Sequence, residues 1–145
     1  AGVHRLQAAS SDEGETFGGV REVPGLGAPV DGCEGSLLAL PPGACGSAGG
    51  GPQLRGPQAQ PAVRVLYSGP SGPSVLRRGM SLHASDDGGG SYHELASIDG
   101  GAVGYSSLAL LRPAADGRVR VGLMYERSDE WRLIFEPDDI MFVPL

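Results

Sequence analysis

Three observations predict an all-β fold for this chain. Its apolar runs are short and rich in alternation, no window sustains a helical period, and turn-forming residues separate the runs at nearly regular spacing. That spacing implies repeated sheets or a sandwich. A length of 145 residues suffices for one domain with a real core.

In order along the chain, strands are expected near 3–9 (VHRLQAA), 36–40 (SLLAL), 62–67 (AVRVLY), 79–84 (GMSLHA) and 91–97 (SYHELAS). Further strands are expected near 107–111 (SLALL), 118–125 (RVRVGLMY), 131–135 (WRLIF) and 140–144 (IMFVP). In the run 118–125, Val119, Val121, Leu123 and Tyr125 share one face, as period-two packing requires. Residues 42–60 (PGACGSAGGGPQLRGPQAQ) interrupt the pattern. They carry too few apolar side chains to offset ordering entropy, so a flexible surface insertion is expected there.

Composition removes several function classes. The net charge is −6, and all 11 basic residues are arginine. A nucleic-acid surface needs a cationic excess, which is absent. Without lysine, neither a Walker-type phosphate loop nor Schiff-base chemistry is available. No apolar run approaches membrane-spanning length, and no stretch has the layout of a secretory signal. Cys33 and Cys45 are too few for a disulfide scaffold. His4, His83 and His93 lack metal-ligand spacing, so no metal or cofactor is expected. Trp131 reads as packing.

One internal repeat is present. Residues 10–17 (SSDEGETF) and 85–92 (SDDGGGSY) both fit Ser-x-Asp-x-Gly-x-Ser/Thr-aromatic. The aspartates Asp12 and Asp87 are expected to accept hydrogen bonds from nearby backbone N–H groups. Gly14 and Gly89 tolerate positive φ, and Phe17 and Tyr92 should anchor the returning strands. The acidic residues are bunched rather than alternating, so a structural turn is preferred over a calcium loop.

This repeat resembles the Asp-box of sialidases, and the likeness runs along nearly the whole chain in the family's order. HRLQAASSDEGETF holds the first box. GCEGSLLAL is similar to the G-C-Q-G-S segment of animal sialidases. VLYSGPSGPSVLRRGMSLHASDDG carries an arginine upstream of the second box, and GYSSLALL and VGLMYE follow. The resemblance implies the C-terminal blades of a six-bladed β-propeller, with residues 1–145 forming part of one sialidase domain.

By that resemblance, Tyr105 in GYSSL is the nucleophile. Arg77 binds the sialic acid carboxylate, with Arg78 the alternative if the register is off by one. Glu126 orients an arginine of the carboxylate-binding triad. Glu34 stands where animal relatives carry glutamine, which implies altered contacts around the substrate. Arg5 and Arg21 have no motif around them and receive no role. The implied activity is exo-α-sialidase action, releasing terminal sialic acid from glycoproteins, gangliosides or oligosaccharides with retention. The alternative is a non-catalytic Asp-box propeller module binding sialylated glycans or a protein partner. The family leaves cytoplasmic, lysosomal and membrane-associated locations open.

The residue types suit this chemistry. Sialic acid carries a carboxylate on the reacting carbon, so a carboxylate nucleophile would meet like-charge repulsion; sialidases use tyrosine instead. A phenol with a reference pKa of about 10 needs a neighbouring base. Guanidinium groups bind a carboxylate through two parallel hydrogen bonds. The chain starts at Ala1 with strand-like sequence almost at once. The family's acid, the base for the tyrosine and two triad arginines are expected upstream. Residues 1–145 alone are therefore expected to be inactive and marginally soluble.

Overall fold

The computed structural model of the chain describes residues 4–29, 32–41, 63–71, 76–129 and 139–145. Among these the fold is all-β, with no helix. The strands are β1 (His4–Ala9), β2 (Gly18–Gly27), β3 (Ser36–Ala39), β4 (Val65–Pro70), β5 (Arg78–Ser85), β6 (His93–Leu111), β7 (Arg120–Ser128) and β8 (Asp139–Pro144). The expected strand at 131–135, Trp131 and the expected insertion at 42–60 lie outside the described residues.

β1 and β2 form a two-stranded sheet, and β3 to β8 follow one another in a six-stranded sheet whose neighbours are all antiparallel. Sequential antiparallel order needs only short connections. Two differences from the sequence reading stand out. β2 was not expected, because GGVREVPGLG has no alternation and carries Pro24. The runs expected at 91–97 and 107–111 are one 19-residue strand, β6.

β6 explains why hydrogen bonding continues through six strands instead of dividing into separate four-stranded sheets. Its first part pairs with β5 and its second part with β7. Register shifts at Met80, at Leu82/His83 and between Val103 and Ser106 let one strand serve both neighbours. The second part of β6 also reaches β3 and β4. Leu108 N–H donates to Ser36 Oγ at 3.0 Å, and the Ser68 and Ser106 hydroxyls meet at 2.9 Å.

The main core takes Leu66 from β4, Met80, Leu82 and Ala84 from β5, Val103 and Leu108 from β6, and Val121, Leu123 and Tyr125 from β7. The shared face expected for β7 is present: Val121, Leu123 and Tyr125 are buried and Val119 packs against them. A second, smaller cluster of Val23, Leu26 and Tyr67, with Tyr92 against it, joins the two sheets.

The two repeats close with the same hydrogen bonds. Asp12 Oδ1 accepts from Ser10 Oγ (2.7 Å) and Thr16 N–H (3.0 Å), while Asp87 Oδ1 accepts from Ser85 Oγ (2.6 Å) and Ser91 N–H (2.9 Å). The serine hydroxyls accept the Gly14 and Gly89 N–H groups at 2.8 and 2.7 Å. Those glycines have φ of 96° and 97°, as the turn demands. The aromatic positions differ. Tyr92 anchors its strand in the seam cluster, whereas Phe17 is 67% exposed, because no described residue covers that side of the first turn.

Candidate functional site

The site forms around a β-bulge in β6. Val103 pairs with Arg127 and Ser106 with Tyr125, so Gly104 and Tyr105 together oppose Glu126. A bulge leaves backbone groups without ladder partners and re-aims a side chain. Here both spare groups are taken up. Glu126 Oε2 accepts the Tyr105 N–H at 2.9 Å, and the Cys33 thiol donates to the Gly104 carbonyl at 3.4 Å. Glycine at 104 leaves room for this contact: a Cβ there would overlap the Glu126 carboxylate, displacing it, and sit 3.0 Å from its Cβ. Tyr105 is left 44% exposed on the strand.

Arg77 reaches this bulge from the start of β5. Its carbonyl accepts the Val103 N–H at 3.2 Å, which ties it two residues from Tyr105. Its Nε donates to the Gly32 carbonyl at 3.2 Å, and its Cζ lies 5.1 Å from the centre of the Tyr105 ring. That distance suits a cation–π contact. Arg78 instead pairs by its backbone with Ala102. Glu34 is exposed beside Cys33, close enough for its charge to act on the thiol. Tyr105, Arg77 and Glu126 thus come together, with Glu34 at the rim.

Arg5, which has no motif around it in the sequence, lies near enough for its charge to act on the Cys33 thiol. It comes from β1 and stacks over the buried Tyr67 of β4, its Cζ 5.2 Å from the ring centre. Its Nε and Nη2 are buried and make no hydrogen bond among the described residues. Alternation along β1 would put the apolar Leu6 inward, but Arg5 and Gln7 share the half-buried face and Leu6 is 68% exposed on the other.

Electrostatics follow from burial at this seam. Burial pushes the Cys33 thiol up, against the pull of Arg77 and then Arg5, so it stays a protonated donor to Gly104. Burial likewise pushes the Tyr67 phenol up to about 12, opposed mainly by the Arg5 charge. Tyr67 Oη has no hydrogen bond of standard geometry. The arrangement therefore sets the Arg77 guanidinium over an exposed phenol, with a second guanidinium, that of Arg5, near enough to act on Cys33, and paired guanidinium groups suit the holding of an anion.

No protein-family model and no curated protein matches the chain. Among solved structures it is similar to the intramolecular trans-sialidase from Ruminococcus gnavus in complex with oseltamivir carboxylate, with a TM-score of 0.60 and 17% sequence identity. The match covers 97% of this chain and 27% of the trans-sialidase chain, so the present chain spans about a quarter of that protein. At this identity the likeness is one of fold, and the chain shares the fold of part of a trans-sialidase.

Proposed function

We propose that the chain is the C-terminal part of an exo-α-sialidase built on a six-bladed β-propeller, and that it contributes a tyrosine nucleophile and two carboxylate-binding arginines. The observation that carries this reading is the convergence on one bulge of Tyr105, the Arg77 guanidinium over its ring and Glu126 on its N–H. Arg5 joins them with two buried nitrogens unspent.

In this mechanism Arg77 and Arg5 grip the sialic acid carboxylate and hold the anomeric carbon near Tyr105. The phenol oxygen bonds to that carbon as the bond to the aglycone breaks. The aglycone oxygen takes its proton from an acid outside residues 1–145, and a base, also outside them, takes the phenol proton. Water then attacks that carbon from the face the aglycone left, giving a proton to the group that acted as the acid, and the tyrosine oxygen departs and is reprotonated, so two inversions retain the configuration. Glu126 acts through position: it fixes the bulge that aims Tyr105, and orients a triad arginine from elsewhere in the parent protein. Glu34 borders the substrate. The sheet face bearing Ile140 (61% exposed), Phe142 (55%) and Met124 (49%) suits the stacking of a further blade.

The test is trapping of the full-length protein with a fluorinated sialosyl reagent and mass mapping of the adduct. Label on Tyr105, and loss of sialoside hydrolysis in Tyr105→Phe, are expected. Label elsewhere together with full activity of Tyr105→Phe would overturn the assignment. Sialoside binding without turnover would favour a non-catalytic glycan-binding propeller.

A further inference from the structure

Arg5 crosses from one sheet to the other, and what holds it is a ring rather than a carboxylate. Among the described residues its Nε and Nη2 have no hydrogen bond, and the contact that orients the guanidinium is the Tyr67 face at 5.2 Å. Tyr67 is itself fixed on every side. It is 4% exposed and packs with Val23 and Leu26. Tyr92 meets it edge-on at 6.4 Å, and the His83 ring is tilted against it at 6.0 Å. Its hydroxyl end fits against Gly35 and Gly69, where a Cβ at either position would overlap the phenol.

We propose that Tyr67 is a positioning residue, whose ring face rather than its hydroxyl aims the Arg5 guanidinium at the site. A guanidinium stacked on a ring keeps its in-plane N–H groups free of a competing acceptor. A carboxylate partner would hold Arg5 more strongly but would consume those donors. Among the described residues the hydroxyl makes no hydrogen bond of standard geometry and only a weaker polar contact with Arg5, so its removal should be tolerated. The proposal rests on the sialidase reading for the identity of the anion, but not for the placement of Arg5.

The experiment compares Tyr67→Phe and Tyr67→3,4,5-trifluorophenylalanine in the full-length protein. Fluorination withdraws charge from the ring face but adds bulk at the ring carbons facing Gly35 and Gly69, so urea unfolding of both variants is measured as well, and a loss of affinity at unchanged stability reports the charge rather than the packing. One readout is affinity for 2,3-didehydro-N-acetylneuraminic acid. The other is the Arg5 Nε–Hε resonance, assigned by its disappearance in Arg5→Lys.

Tyr67→Phe should bind within about twofold of the parent, and the trifluoro variant roughly five- to tenfold more weakly. The ring-shielded Arg5 resonance should persist in the first and relax toward an ordinary arginine position in the second. Unchanged affinity and unchanged resonance on fluorination would overturn the proposal, as would an equal loss in Tyr67→Phe, which would assign the role to the hydroxyl. A parent protein that binds no sialoside, yet has a shielded Arg5 resonance sensitive to fluorination, would refute the sialidase reading and leave the positioning role standing.

Discussion

Replacing Gly104 by alanine tests whether the bulge is held by the Glu126 carboxylate. The φ of Gly104 is outside the left-handed region, so alanine adds no backbone strain. What it adds is a methyl group in the space of the Glu126 carboxylate, 3.0 Å from that residue's Cβ and 3.3 Å from its Cδ. The carboxylate must swing away, and the Tyr105 N–H loses its 2.9 Å partner. A hydrogen bond to a charged group is worth about 1.5–3 kcal/mol. Alanine returns about 0.4–1 kcal/mol by restricting the unfolded chain. The expected net cost is therefore about 1–2 kcal/mol. In a Glu126→Ala background the carboxylate and its hydrogen bond are gone and only the 3.0 Å contact with the Cβ of residue 126 remains, so Gly104→Ala should cost clearly less there. Urea unfolding of the parent, the two single variants and the double variant gives the coupling directly. An equal cost of Gly104→Ala in both backgrounds would refute the account of the bulge.

Two further outcomes follow from the turns and the seam. Burial pushes His83 below its ordinary value, against the opposite pull of the Glu94 charge across the strand pair, and its Nδ1 is buried without a hydrogen bond. The unfolded chain therefore binds more protons once pH falls below about 6.5, and stability should decline from there toward the lower folded value. His83→Gln should flatten urea midpoints between pH 7.5 and 5.5, to a degree that an identical slope in the parent would contradict. The acid limb is separate, because hydrogen bonds from Thr16 and Ser10 hold Asp12 down to about 2. In the first turn Glu13 has φ of 61°, where the second turn has Gly88 at 75°. Glu13→Gly should raise stability by up to about 1 kcal/mol, the left-handed strain relieved less the added chain entropy; a lower melting temperature would count against this.

Local chemistry made part of this legible. The Ser, Asp, Gly and Thr/Ser spacing encodes the turn hydrogen bonds within eight residues, and β7 alternates cleanly because one face packs on the core. β2 was illegible because its pairing with β1 overrides its local signals: Gly19 and Gly25 adopt positive φ and the register shifts twice. The residues between the strands expected at 91–97 and 107–111 continue β6, their irregularity absorbed by bulges. Tyr105, Arg77 and Glu126 were approachable through motif order. Their geometry was not, since it depends on a thiol, a carbonyl and a bulge on three separate segments. Arg5 could be found only by asking where its charge goes.

That question leads to the seam between the sheets. Arg21 of β2 crosses it to donate to the Gly89 carbonyl at 2.8 Å and the Gly90 carbonyl at 3.0 Å, both in the second turn. Arg5 crosses it to Tyr67. The difference between them lies in their donors. Arg21 spends its terminal nitrogens on backbone carbonyls and on Gln7, so it can join the sheets but has little left for a ligand. Arg5 is held by a ring and keeps Nε and Nη2 unspent. Buried, unpaired N–H donors on a charged group are costly, and a fold retains them where something else meets that cost. A bound anion beside Tyr105 and Arg77 would do so. On this argument the seam, rather than either core, is where this chain commits stability to function.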